Sequence, residues 1–176
     1  MQREQLHRLL DRAAAICAKH DLVILGSQAV HALTDAPPPE VLVSVECDLW
    51  LGQDPDAASR LQAELGQDSA FAKSTGVYAH ALPPELPILP AGWEERLVAY
   101  QAGAARARCL EIHDLIVSKL AAGRLKDYEF IASVLMSKLA RPNEVIRRVQ
   151  TFLDPHTQAV LLARLRIATE ATDVRL

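Results

Sequence analysis

Glu46 and Asp48 stand two residues apart in Val41–Leu51, a segment whose odd positions (Val41, Val43, Val45, Cys47, Leu49, Leu51) are all apolar. A strand sends alternate side chains to opposite faces, so this pattern predicts one buried face and one face carrying both carboxylates. Two carboxylates at that spacing can share a hard cation such as Mg²⁺, which takes oxygen ligands and keeps positions for water and substrate phosphates. Burying the pair without a cation or hydrogen-bond donors would be costly. The same two residues also suit an ordinary solvated strand face.

Gly26-Ser27 closes the apolar run Leu22–Leu25 and precedes a short helix predicted over Gln28–Leu33. Glycine lets backbone approach a ligand closely, and a helix N-terminus favours anions. Read as a plain tight turn, the pair makes Ser27 an N-cap. A third group of residues is the string His113-Asp-Leu-Ile-Val-Ser-Lys119-Leu-Ala-Ala-Gly123-Arg-Leu-Lys126-Asp127. On a continuous helix Lys119, Gly123, Lys126 and Asp127 share one face. A lysine offers phosphates a compact positive charge. The string equally fits a solvated helix face laced with charge pairs.

The elements that must position these groups follow from periodicity and breakers. Residues 2–20 repeat apolar side chains at helical spacing, from Leu6, Leu9 and Leu10 to Ala13 and Cys17, and His20-Asp21 ends the run. Thr34–Glu40, with three consecutive prolines, reads as a loop. Val41–Leu51 reads as one strand ended by Gly52–Pro55, Asp56–Gly66 as a helix and Val77–Leu82 as a strand. Pro83, Pro84, Pro87 and Pro90 make the next stretch irregular. Leu97–Tyr100 and Ala107–Ile112 suit two short strands. Helices follow over His113–Leu139, bent at Gly123, then Asn143–Phe152 and His156–Glu170. Strands and helices that alternate first, with helices alone at the end, predict an α+β, mixed α/β fold. The expected organisation is a core over residues 1–112 and a helical extension over 113–176 packed on it.

Composition narrows the function classes. The chain has 176 residues, 50% hydrophobic and 23% charged, with a net charge of -3. Such usage excludes intrinsic disorder and fibrous repeats and disfavours a nucleic-acid coat protein. Charge is uneven: residues 1–103 carry 7 Lys/Arg against 14 Asp/Glu, and residues 104–176 carry 12 against 8. That asymmetry suits a site where metal ions meet phosphates, and it also arises from solvated helix faces. Cys17, Cys47 and Cys109 form no C-x-x-C pair and read as reduced, buried thiols of a cytoplasmic protein. No signal peptide and no run of about 20 apolar residues is present, so no membrane partner is expected. The six histidines show no metal-ligand spacing, and no Walker A or G-x-S-x-G string occurs. Trp50 and Trp93 read as packing residues.

Strand, Gly26-Ser27, helix, loop, then a strand bearing Glu46-x-Asp48 resembles the nucleotidyltransferase superfamily, which includes DNA polymerase beta. The string from Asp114 to Asp127 resembles the signature of bacterial nucleotidyltransferase-like proteins related to abortive-infection toxins. The segment Leu89-Pro-Ala-Gly-Trp-Glu-Glu-Arg-Leu-Val98 is similar to part of one subfamily of that group. The three pieces span roughly residues 20–135 in the right order. This resemblance implies a small mixed sheet flanked by helices and Mg²⁺-dependent transfer of a nucleotidyl group from an NTP to an RNA or protein acceptor. It further implies a toxin–antitoxin role with a cognate antitoxin as partner. Carried over by position, Gly26 and Ser27 match the phosphate loop, and Glu46 and Asp48 match the metal-binding acids. Lys119 matches the later basic position, with Lys126 and Asp127 beside it.

Two departures from the pattern stand out. Glu46 occupies a position that usually holds Asp, and eighteen residues, Gln28 to Val45, separate the Gly-Ser from it. A third acid is not evident. Tyr78-Ala-His80-Ala81 lies where one is expected, and His80 is no substitute for a carboxylate on Mg²⁺. The alternative is therefore a catalytically impaired module of the same fold that binds an NTP or a protein partner.

Overall fold

Leu22–Ile24 (β1) is buried at all three positions, and in the computed structural model it is the central strand of a five-stranded sheet. The structure describes residues 1–17, 21–52, 54–83, 85 and 88–170. The expectations for His20, Gln53, Pro84 and Pro87 fall outside these residues. The chain divides into two compact units. One is Met1–Leu86 with Leu97–Leu110, and the other is Pro87–Arg96 with Glu111–Leu176.

The first unit holds the sheet, ordered β3-β2-β1-β5-β4. Its other strands are Glu46–Trp50 (β2), Tyr78–Ala81 (β3), Val98–Ala102 (β4) and Ala105–Cys109 (β5). β1 runs antiparallel to β2 and parallel to β5, β2 runs parallel to β3, and β4 and β5 form an antiparallel hairpin. The mixed α/β class read from the sequence is thus the observed one.

Helix α1, Arg3–Ile16, buries Leu6, Leu9, Leu10 and Ala13 at the predicted spacing and packs on β4 and β5. Its Asp11 carboxylate accepts hydrogen bonds from the amides of Ala104 and Ala105, fixing the hairpin turn at Gly103. A 3-10 turn, Ser27–Ala32, follows β1, and a short helix, Pro39–Val43 (α2), leads toward β2. Pro55–Leu65 (α3) starts on an Asp54 cap that accepts from the Ala57 amide and packs on β3. Ala70–Thr75 (α4), which the sequence pattern did not reveal, is capped by Ser69 and stopped by Gly76 in the left-handed region.

The strand predicted over Val41–Leu51 is shorter than expected. Pro39 at the first helical position starts a helical turn that carries Val41–Val43, and the strand begins only at Glu46. Ladder partners explain the boundary: β3 meets β2 from Glu46↔Tyr78 onward. Val43 and Val45 are therefore exposed, at 78% and 46%, not core residues. Within β2 the alternation holds. Cys47 and Leu49 are fully buried, and Glu46, Asp48 and Trp50 are half-buried on the opposite side.

Among its described residues, the second unit gathers four α-helices and the 3-10 turn Trp93–Arg96. The helices are Ile112–Ala122 (α5), Leu125–Met136 (α6), Pro142–Val149 (α7) and Pro155–Glu170 (α8). α5 packs on the other three and is buried on most sides, from Ile112 through Val117 to Leu120. The helix expected from His113 to Leu139 is two helices. Gly123 takes φ +64° as the C-terminal cap of α5, a left-handed conformation that favours glycine. Among the described residues no helix is long and apolar enough to cross a membrane.

Candidate functional site

Parallel pairing of β2 with β3 sets Glu46 opposite Tyr78 and Asp48 opposite His80. Side chains of like parity on neighbouring strands share a face, so the two acids meet a phenol and an imidazole. The Tyr78 hydroxyl donates to Glu46 Oε2 at 3.1 Å. His80 Nδ1 lies 3.0 Å from Asp48 Oδ1. Ligand-capable atoms of Glu46, Asp48 and His80 all fall within 4.8 Å of one another. Burial, and then the Glu46 charge and hydrogen bond, raise the Tyr78 pKa, so the phenol stays a donor. Behind this face, burial and the Asp48 charge push the Cys47 thiol well up, and burial pushes Cys109 to about 12. Both are inert core thiols, as expected.

Gly26 completes the site by what it lacks. The ladder continues past β1 through the Leu25 amide, which donates to the Asp48 carbonyl at 3.1 Å. The backbone then passes so close to the Asp48 side chain that a Cβ on Gly26 would lie 2.0 Å from Oδ2. Its φ of -100° is open to any residue, so glycine is required here by space. Ser27, half-exposed, opens the 3-10 turn directly afterwards. The N-cap of that turn is Gly26, and the serine cap read as an alternative is not formed. Fully buried Gln28 donates to the Ser44 carbonyl at 3.3 Å and so ties the turn to the residues ahead of β2.

In the second unit Lys119 and Asp127 come together without the continuous helix that was expected to align them. The Gly123 break folds α6 back, and Lys119 Nζ lies 3.3 Å from Asp127 Oδ1. Arg124 grips the same carboxylate, with Nε at 2.8 Å, Nη2 at 3.2 Å and its backbone amide at 3.2 Å. Lys119 also sits 4.3 Å from the Phe130 ring centroid, a cation–π contact. Burial tends to raise the Asp127 pKa, but the Arg124 hydrogen bonds and the Lys119 and Arg124 charges hold it below its ordinary range. Lys126 lies on the exposed side of α6.

Three features escaped the sequence. His80 was set aside as a poor Mg²⁺ ligand, yet its parity with Tyr78 on a strand beside β2 was a usable signal. Asp114, fully buried, is held by Arg96 at 2.8 and 3.1 Å, and Arg148 Nε lies 3.1 Å away. Glu111 caps α5 by accepting from the amides of His113 and Asp114. His113 Nε2 accepts the Arg141 amide at 3.0 Å, which fixes the proton on Nδ1 for a 2.6 Å bond to Glu111.

Residues 4–153 match a family model described as nucleotidyltransferase of unknown function (DUF6036). No curated protein and no solved structure matches the chain.

Proposed function

The chain belongs to that nucleotidyltransferase family, and on this premise we propose that it moves a nucleotidyl group from an NTP to an RNA or protein acceptor with a divalent cation held by Glu46 and Asp48. The observation that carries the proposal is the Glu46–Asp48–His80 cluster beside Gly26. The donor set fits a divalent cation: two carboxylates on one strand face, a third ligand within reach, and a glycine that leaves the Asp48 carboxylate room. A cation bound there, Mg²⁺ in the family pattern, would neutralise phosphate charge and stabilise the oxygens of an in-line displacement.

The chain's own residues supply the rest. Glu46 and Asp48 bind. Tyr78 orients Glu46 through its hydroxyl, and Gly26 and Ser27 offer backbone and a hydroxyl to the phosphates. Lys119, Lys126 and Asp127 enter this reading through the resemblance of their string alone. The role as a toxin restrained by a cognate antitoxin also rests on resemblance.

A second reading is favoured by one observation: the residue beside Asp48 on β3 is His80, where a third carboxylate was sought. On that reading the protein binds an NTP, or a protein partner, without turnover. Incubation with each α-³²P-labelled NTP, Mg²⁺ or Mn²⁺, and either total RNA or the protein itself separates the two. Asp48-dependent label transfer supports the enzyme. Asp48-dependent NTP binding without transfer supports the module, and binding unchanged in Asp48→Asn overturns both.

A further inference from the structure

We infer that His80 is itself a ligand of the Glu46–Asp48 cation, and that its imidazole makes the site select Mn²⁺ over Mg²⁺. The inference deepens the proposed function and rests on it. It starts from register. β2 and β3 are parallel neighbours with Asp48 paired to His80, so the imidazole and the carboxylate leave the sheet side by side. Their Nδ1 and Oδ1 are already 3.0 Å apart, and one ligand-capable atom from each of Glu46, Asp48 and His80 lies within 4.8 Å of the other two.

The surroundings keep this trio in place and reachable. The Tyr78 hydroxyl holds Glu46 from the next register pair. The Gly26 backbone passes close against the Asp48 side chain, where any Cβ would collide. His80 and Asp48 keep side-chain exposures of 50% and 23%, so a hydrated cation can reach them.

Ligand chemistry then chooses the ion. Mg²⁺ demands oxygen donors in near-ideal octahedral geometry. Imidazole suits the later first-row ions best; Mn²⁺, the weakest binder of that series, shares with Mg²⁺ the preference for carboxylate, water and phosphate oxygens but is the softer of the two toward a nitrogen donor. One nitrogen with two carboxylates therefore matches Mn²⁺ while leaving its other positions to a triphosphate. To bind, His80 must turn a ring-nitrogen lone pair toward the cation. The contact to Asp48 Oδ1 is then replaced by a cation shared between the two.

The test is metal binding to the full chain, read by calorimetry and by electron spin-echo envelope modulation of bound Mn²⁺. The expected result is directly coupled ¹⁴N modulation in the wild type, absent in His80→Asp. Mn²⁺ affinity should exceed Mg²⁺ affinity in the wild type and fall at least about tenfold in His80→Ala, since even an outer partner of a metal ligand is worth that much. His80→Asp should bring the two ions closer in affinity. Mn²⁺ binding that is lost in Asp48→Asn but shows no nitrogen coupling overturns the ligand role of His80 and leaves the proposed function standing. Absence of any Asp48-dependent divalent binding overturns both. The spectroscopic arm uses the unaltered protein, so a variant that fails to fold does not decide the outcome.

Discussion

Two carboxylates of the strand unit and two of the helical unit are held in opposite ways. Asp114 and Asp127 are buried and each meets two cationic side chains, Arg96 with Arg148 and Lys119 with Arg124. Glu46 and Asp48 are half-buried and meet a phenol and an imidazole. Guanidinium and ammonium groups use up an acid's charge in holding helices together. Tyr78 and His80 hold an acid by a single contact each, 3.1 Å and 3.0 Å long. The difference teaches that acidity in the sequence does not mark a site; the partner that packing supplies does.

Substitutions sharpen or break this contrast, and the largest effect on folding is expected at Asp114. Burial pushes its carboxyl above the ordinary range even beside Arg96 and Arg148. Asp114→Asn leaves those two guanidiniums facing a neutral amide, and the loss should be about 3 kcal/mol, the low end for breaking a buried pair because both arginines remain about a fifth exposed. Urea denaturation checks it. Unchanged stability would remove the distinction between structural and site acids.

Lys119 comes next. Lys119→Ala takes one cation from Asp127 and should cost about 1.5–3 kcal/mol, the range for hydrogen bonds to charged groups, less some screening. The pH dependence carries the same signature. Asp127 has a folded pKa below its ordinary 3.8, so its stabilisation is complete above that value and is lost as pH falls through the lower folded one. Asp127→Asn should lose stability at neutral pH and flatten this acid limb in melts taken from about pH 5 downward. A parallel loss of NTP affinity in Lys119→Ala would give that lysine a second task; unchanged affinity would confine it to the helices.

Gly26→Ala tests the strand unit. A methyl 2.0 Å from Asp48 Oδ2 must push the carboxylate or the backbone aside. The expected stability cost is about 1–3 kcal/mol, as for overpacking, with divalent binding weakened at least about tenfold. The smallest effect on folding belongs to Asp48→Asn, within about 0.5 kcal/mol, as for a substitution outside the core. The same change should abolish metal-dependent NTP binding in calorimetry. A strongly destabilised Asp48→Asn would make that acid structural, like Asp114.

Much of the fold was legible because local patterns agree with their environments. Leu6, Leu9, Leu10 and Ala13 repeat at helical spacing and are buried. Cys47 and Leu49 alternate with Glu46 and Asp48 and are buried too. Periodicity failed where a local breaker competed with it. Pro39 turned Val41–Val43 into a helix despite alternation, and Gly123 split one predicted helix into two. A strand needs a partner as well as a pattern, and the partner of β2 begins only at Tyr78.

The sequence by itself determined the mixed α/β class, the family, and the presence of Gly26, Glu46 and Asp48 around a strand–turn–strand path. Those are matters of residue type and short-range spacing, which the chain carries in one dimension. Tertiary structure decided which groups stand beside them. Asp48 and His80 stand 32 positions apart in the sequence, and only the parallel register of β2 on β3 closes that distance to 3.0 Å. The need for glycine at position 26 is likewise decided by a neighbour across the β1–β2 ladder. Such pairings follow from which strands share hydrogen bonds, a choice made by burial of the whole sheet rather than by any segment of it.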